Sequence, residues 1–175
     1  MSWRMHTLEK IDHPLFLLWK YNMWANEIFI KSSESISSED FLKDLGDGCG
    51  SLKDKLAHIF AADEIWLHRI ESTPNPSFTK PDQVLNLEDL KSRWIPIQEK
   101  YITILHDPNT DYKKNISYKN FKGKEFETSL YEVLLHVANH ATYHRGQAGS
   151  LFRRLTGKPP STDLMEYFKI LPSNS

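Results

Sequence analysis

The chain has 175 residues, of which 39% are hydrophobic and 12% aromatic, and 22 basic against 23 acidic side chains give it a formal net charge of −1. This balance argues against a dedicated nucleic-acid-binding protein, because such proteins gather cationic side chains against phosphates. One cysteine, Cys49, excludes an internal disulfide framework, and the sequence lacks both a signal peptide and the run of about 20 apolar residues that spans a membrane. We therefore expect a single cytoplasmic domain over residues 1–175.

The first predicted element is a helix from Pro14 to Ser33, in which apolar residues recur at steps of three and four. Proline is tolerated in the first turn of a helix, where its missing N–H would have no partner. The polar residues 35–38 and the glycine-rich residues 46–50 then predict a connecting loop.

Two further helices are predicted in the middle of the chain. Ser51 and Asp54 form a capping-box pattern that opens the second helix, and the prolines at 74 and 76 end it. The third helix is expected from Leu87 to His106, with Asn86 as its N-cap. Because Pro96 lies inside that helix, we expect a kink or a break there.

After the third helix, apolar residues recur at every second position instead of every third or fourth. Residues 115–118 and 125–128 alternate polar and apolar side chains around Gly123, which predicts a short β-hairpin. A fourth long helix is expected from Ser129 to about Leu155, with Gly157 as its left-handed stop and a further turn within 163–170. The predicted fold is all-α, a four-helix bundle with a small β-hairpin inserted before the last long helix.

Histidines are the most informative residues for function. His136, His140 and His144 follow each other at intervals of four on the fourth helix, so they share one face. Two imidazoles spaced in this way can converge on one metal ion. A third ligand has to come from another helix, and His58 lies at the edge of the apolar stripe of the second helix.

A hydrogen-bonded core histidine is the plain alternative to a ligand. Burying several imidazoles without a partner is costly, however, which favours a metal for this group. The remaining histidines lie at the N-terminus, near helix ends or off the stripe, and we interpret them as solvated or capping residues (His6, His13, His68 and His106).

Several segments resemble the DinB/YfiT-like metalloenzymes. The stretch 134–147 is similar to the signature of the last helix in that family, and residues 21–26, 56–67, 121–124 and 159–163 also fit the family layout. The resemblance covers nearly the whole chain and implies an up-down-down-up four-helix bundle.

The resemblance also implies a metal site. It assigns His58, His140 and His144 as ligands of one divalent cation, zinc or nickel, and leaves His136 as a residue beside the ligands or in the pocket. Within the signature, Arg145 is expected to orient neighbouring carboxylates, and Gly146 to be a position of close helix packing.

Characterised members of the family include S-transferases for low-molecular-weight thiols such as bacillithiol, mycothiol or glutathione. The resemblance therefore implies a small-molecule substrate, a metal-held thiolate that attacks an electrophile, and a possible homodimer. A hydrolase using metal-bound water, with Asp63 or Glu64 as general base, is an alternative, and so is a binding protein without enzymatic activity.

Four residues are candidates for the pocket: Asn22, Asn26, Trp66 and Tyr143. For the two aromatic side chains we favour a packing role. Cys49 is a weak candidate for a nucleophile, because Asp47 nearby would raise the pKa of its thiol.

Overall fold

The computed structural model describes residues 14–171 except for positions 47, 49, 75 and 121, so His6, His13 and Cys49 lie outside the described residues. The described chain is mostly helical. Its helices are α1 (Pro14–Ser33), α2 (Ser38–Leu42), α3 (Leu52–Ile70), α4 (Leu87–His106), α5 (Leu130–Thr156) and α6 (Leu164–Ile170), and two strands, β1 (Asn115–Lys119) and β2 (Glu125–Ser129), separate α4 from α5.

The ends of the helices follow the capping signals in the sequence. Capping boxes open α3 and α5: Ser51 Oγ accepts from the backbone N–H of Asp54, and Ser129 Oγ accepts from that of Glu132. Asn86 caps α4 through its side-chain oxygen. Gly157 ends α5 in the left-handed conformation at φ 81°, which a residue with a Cβ adopts only with strain. These predictions are confirmed.

Two local features differ from the sequence prediction. The connection after α1 contains the short helix α2, which the buried side chain of Phe41 anchors and Ser37 caps. Of the kink or break predicted at Pro96, the break does not occur, because α4 continues as one helix to His106. Both Pro96 and Ser92 are exposed, so water can hydrogen-bond to the Ser92 carbonyl that loses its helical partner.

The β-hairpin forms as predicted. Strands β1 and β2 pair antiparallel, with Ile116 opposite Thr128 and Tyr118 opposite Phe126. Ile116 is buried beneath the hairpin, in a cluster with residues of α1, α3, α4 and α5. A two-stranded hairpin is marginal on its own, so this packing against the helices stabilises it.

Helix α3 packs against both α5 and α4, and α1 packs against the same two helices. Their apolar faces form two buried clusters, one around Phe60 and Trp94 and the other around Trp19 and Tyr101. Within the second cluster, Trp19 Nε1 donates to the Leu134 carbonyl at 2.9 Å and so ties α1 to α5. No helix in the described part of the chain combines the length and apolar character needed to cross a membrane.

Candidate metal centre

Two helices bring three of the predicted histidines together. His58 comes from α3, and His140 and His144 come from successive turns of α5. One ring nitrogen of each lies within 4.8 Å of those of the other two, and all three residues are half-buried. The ring centroids of His58 and His144 are 4.3 Å apart, as are those of His140 and His144. We call this group the histidine cluster.

The surroundings of the histidine cluster favour neutral imidazoles. Burial, followed by the charge of the neighbouring rings of His144, His58 and His136, lowers the pKa of His140 from 6.5 to about 4. Burial also lowers the pKa of His58, with smaller effects from His144 and Lys55. At neutral pH these rings therefore keep a nitrogen lone pair, which is the form that binds a metal.

Hydrogen bonding at His144 and His140 also favours metal binding by these two side chains. His144 Nδ1 lies 3.0 Å from Gln147 Oε1, and since an amide oxygen only accepts, Nδ1 is the nitrogen that donates there, which leaves Nε2 as the nitrogen available to a metal. Metal-binding histidines commonly donate through their second nitrogen in this way. The contact of Gln147 was not predicted from the sequence, although its three-residue spacing from His144 places the two on one helix face. His140 Nδ1 is buried and has no partner among the described residues, as expected of an atom whose partner is not protein.

His136 lies beside the histidine cluster and outside the group whose nitrogens approach one another. Its ring centroid is 5.8 Å from that of His140 and 5.3 Å from that of Trp66. Trp66 is half-buried and packs on the core, and its ring and that of Tyr118 flank the Arg69 guanidinium at 4.4 and 4.6 Å. A wall of aromatic and cationic side chains thus extends from the histidine cluster to the β-hairpin.

Neither candidate general base faces the histidine cluster. Asp63 and Glu64 follow His58 by five and six residues, which turns them about 120–140° away on the helix. Asp63 is buried and accepts from Trp94 Nε1 at 2.7 Å, and Glu64 accepts from the Thr79 hydroxyl and lies 3.8 Å from Arg93. Both carboxylates therefore point towards neighbours outside the histidine cluster.

Arg145 forms a buried polar network that sequence reasoning missed. It donates from Nη1 to Asn22 Oδ1 at 2.5 Å and to Asn26 Oδ1 at 2.7 Å, and from Nη2 to the Thr142 hydroxyl at 2.8 Å. Asn22 and Asn26 are therefore core residues that bind Arg145, and our suggestion that they line a substrate pocket is wrong. Arg145 was expected to orient carboxylates; its hydrogen-bond partners are instead amide and hydroxyl oxygens, while its charge acts on the buried carboxyl of Asp63 without a hydrogen bond. The sequence does contain a signal for this network, because Asn22 and Asn26 lie one helical turn apart on an apolar face.

Two other expectations are corrected. Tyr143 is 65% exposed and its ring contacts only the edge of the cluster, 5.0 Å from His144, so it is not a packing residue. Gly146 is not a position of close packing, since a Cβ added there would meet no atom within 4 Å. His106 is exposed as expected, whereas His68 is half-buried and its Nδ1 has no partner among the described residues.

These features define a mostly helical protein with a small antiparallel hairpin and a three-histidine cluster of the kind that suits a divalent cation. Residues 5–171 match the family model described as the DinB family, and the chain belongs to that family. It is similar to "Protein DinB" of Bacillus subtilis (strain 168), with 24% identity over 155 residues that cover 85% of this chain and 90% of that protein.

Proposed function

We propose that His58, His140 and His144 bind one divalent cation, zinc or nickel. The observation that carries this proposal is the convergence of three half-buried imidazoles from two helices, with ring nitrogens within 4.8 Å of one another. Membership of the DinB family supports it. Three protein ligands leave coordination positions for a substrate, which is the pattern of catalytic rather than structural zinc sites.

The fold that would support this site is the up-down-down-up bundle of a single domain. We propose that α1, α3, α4 and α5 form this bundle, with α2 and the β-hairpin as insertions. The packing of α3 and α1 against both α4 and α5 supports it. In such an arrangement the histidine cluster lies where α3 meets α5, half-buried at the edge of the bundle and so accessible to a substrate.

We propose further that the protein is an S-transferase for a low-molecular-weight thiol. A bound zinc or nickel ion supplies Lewis acidity that stabilises the thiol as a thiolate. The chain contributes the three imidazoles, the hydrogen bond that orients His144, and the Phe78 ring, which lies 6.2 Å from that of His58. This reaction needs no nucleophile from the protein, and within the described residues neither a cysteine nor a carboxylate belongs to the histidine cluster.

Among the described residues, the absence of a carboxylate from the histidine cluster also distinguishes this reaction from metal-dependent hydrolysis. Activating a water molecule is most effective with a general base within hydrogen-bond reach of it. Asp63 and Glu64 are instead engaged by Trp94 and by Thr79 with Arg93. The geometry therefore favours a substrate that brings its own nucleophile over one that needs an activated water.

Elemental analysis tests the metal site. We expect about one zinc or nickel ion per chain in the wild type, and its loss in His58→Ala and His140→Ala. His136→Ala is the matched control: it removes an imidazole four residues from His140, and it should retain the metal. A wild-type protein that stays free of metal after incubation with both ions, or equal loss in His136→Ala, contradicts the assignment.

Thiol chemistry is tested separately on the metal-loaded protein. With cobalt in the site, addition of bacillithiol, mycothiol or glutathione should produce thiolate-to-cobalt absorption, and the matching thiol should be conjugated to an alkylating bimane dye faster than without protein. His58→Ala should abolish both signals. Metal-dependent ester hydrolysis without any thiol effect would identify the hydrolase alternative, and metal binding without either activity would identify a binding protein.

A further inference from the structure

A second concave region lies on the other side of α5. This cavity, of about 760 Å³, is open to solvent and bordered by α1, α5 and the segment 159–164 that leads into α6. In its α5 wall, Thr142, Gly146, Gly149 and Arg153 point about 120–180° away from His140 and His144. Arg154 projects only about 40° from the direction of His140 but lies about 21 Å further along the helix axis. The volume falls within the range of about 300–1,000 Å³ that is typical of small-molecule sites.

The charges around this cavity are unbalanced. Three guanidinium groups line it, those of Arg145, Arg153 and Arg154, and none forms an ion pair with a carboxylate in the part of the chain that the structure describes. Among the residues that the structure describes, Arg154 donates to the Leu45 carbonyl alone, at 2.5 Å. The acidic residue of the lining, Asp163, is engaged as the N-cap of α6, where it accepts from the backbone N–H of Met165 at 2.8 Å.

Arg145 is the least expected of the three cations. Arg153 and Arg154 lie in the last turn of α5, where the helix dipole favours positive charge. Arg145 lies about 12 Å earlier along the axis, is only 3% exposed, and has an Nε atom without a hydrogen-bond partner among the described residues. The helix dipole therefore does not explain why a buried guanidinium borders this cavity.

Glycine at position 146 points to a bound molecule as well. Glycine inside a helix is less stable than alanine, and protein packing gives no reason for it here, because a Cβ on Gly146 would meet no atom within 4 Å. A Cβ on Gly149 would make ordinary contacts with Pro159 and Phe29, at 3.7 and 3.8 Å. The backbone of α5 is thus open to a molecule in the cavity beside Gly146.

We propose that this cavity binds a small organic anion, with its phosphate or carboxylate group at Arg153 and Arg154 and its apolar body against Gly146, Phe29 and Pro159. Guanidinium groups bind both kinds of anion through paired, charge-assisted hydrogen bonds. An apolar body suits this cavity because Tyr21, Phe29, Pro159 and Pro160 form part of its wall, beside hydroxyl groups of Thr142, Ser150 and Thr162 that can hydrogen-bond to the ligand. This site does not depend on the metal, because it shares no residue with the histidine cluster and because Arg153 and Arg154 lie about 13 Å or more beyond His144 along α5.

Calorimetric titration at constant ionic strength tests the proposal, with phenyl phosphate and phenylacetate as probes and inorganic phosphate for comparison. At least one organic probe should bind more tightly than inorganic phosphate. Arg153→Gln should weaken its binding about fivefold or more, since a charge-assisted hydrogen bond is lost. Lys113→Gln is the matched control, because it removes an exposed cation near the first turn of α5, about 30 Å away along the helix. It should change binding less than twofold.

A cavity-filling variant gives an independent result. Gly146→Leu places a side chain in the open space and favours the helix, so it should fold, as circular dichroism will check, and fail to bind the probe. Metal content should equal that of the wild type in every variant, which keeps this test separate from that of the histidine cluster. The proposal is overturned if no organic probe binds better than inorganic phosphate, if both charge variants weaken binding equally, or if folded Gly146→Leu binds like the wild type.

Discussion

The buried carboxyl of Asp63 should make the stability of the protein fall as the pH rises. Burial raises the pKa of Asp63 from 3.8 to about 7, against the smaller opposing effects of the Trp94 hydrogen bond and the Arg145 charge. In the unfolded chain this carboxyl ionises near pH 3.8, whereas in the folded protein it stays protonated until about pH 7. Its contribution to stability is therefore fully present below about pH 4 and is lost progressively up to about pH 7.

The size of the effect follows from the shift. A shift of about three pH units at 1.36 kcal/mol per unit corresponds to about 4 kcal/mol over the full range. Between pH 5 and pH 8 the unfolding free energy should fall by about 2.5 kcal/mol of this total, because the unfolded carboxyl is already largely ionised at pH 5. Asp63→Asn removes the ionisation and keeps an oxygen that can accept from Trp94 Nε1, so this variant should lack the pH-dependent loss.

Urea denaturation measures the unfolding free energy at several pH values between 5 and 8. Unfolding is followed by tryptophan fluorescence, and a chelator is present throughout. The unfolding free energy of Asp63→Asn minus that of the wild type should grow by about 2.5 kcal/mol from pH 5 to 8, while other titrating groups cancel in the difference. The exposed Asp82→Asn is the matched control and should show no such growth. A difference that stays constant or shrinks with pH would show that Arg145 holds Asp63 ionised, and would refute the reasoning.

Two further substitutions test the packing of α5. Arg145→Ala leaves the buried oxygens of Asn22 and Asn26 without donors and should lower the unfolding free energy by about 2–5 kcal/mol, whereas the exposed Arg153→Ala should change it by less than about 0.5 kcal/mol in the same urea titration. Equal effects of the two would contradict a network role for Arg145. Ser129→Ala removes the oxygen that caps α5 and should cost about 1 kcal/mol, seen as a lower melting temperature than that of Ser92→Ala. A melting temperature unchanged by Ser129→Ala would argue against a stabilising capping box.

The helix ends were predictable because single residues encode them. Ser51, Asn86 and Ser129 offer oxygens to otherwise unpaired N–H groups, and Gly157 supplies the left-handed stop, so the signals lie within a few residues of the structure they form. Helix α2 was missed because a helix of five residues is too short for periodicity, and the burial of Phe41 that anchors it depends on residues distant in sequence.

The histidine cluster was predictable for a similar reason, since His140 and His144 share a face by spacing alone. The prediction that His58 joins them rested on the family resemblance and on the position of His58 at the edge of the apolar stripe of α3. The roles of Asp63, Asn22 and Asn26 were not predictable in this way. A polar residue on an apolar face has the same pattern whether it binds a ligand or a buried partner such as Trp94 or Arg145, and only the packing of separate helices distinguishes the two.

The polar bonds between α1 and α5 also decide how the two helices are aligned. Apolar faces tolerate sliding, because a shift of one turn, about 5.4 Å, replaces one aliphatic contact by another. The same shift would separate Trp19 Nε1 from the Leu134 carbonyl and Arg145 from one of Asn22 and Asn26, which are themselves one turn apart, and so would leave buried polar atoms unpaired. These few contacts therefore select a single alignment of α1 along α5, and they give the core a uniqueness that its hydrophobic residues alone would not provide.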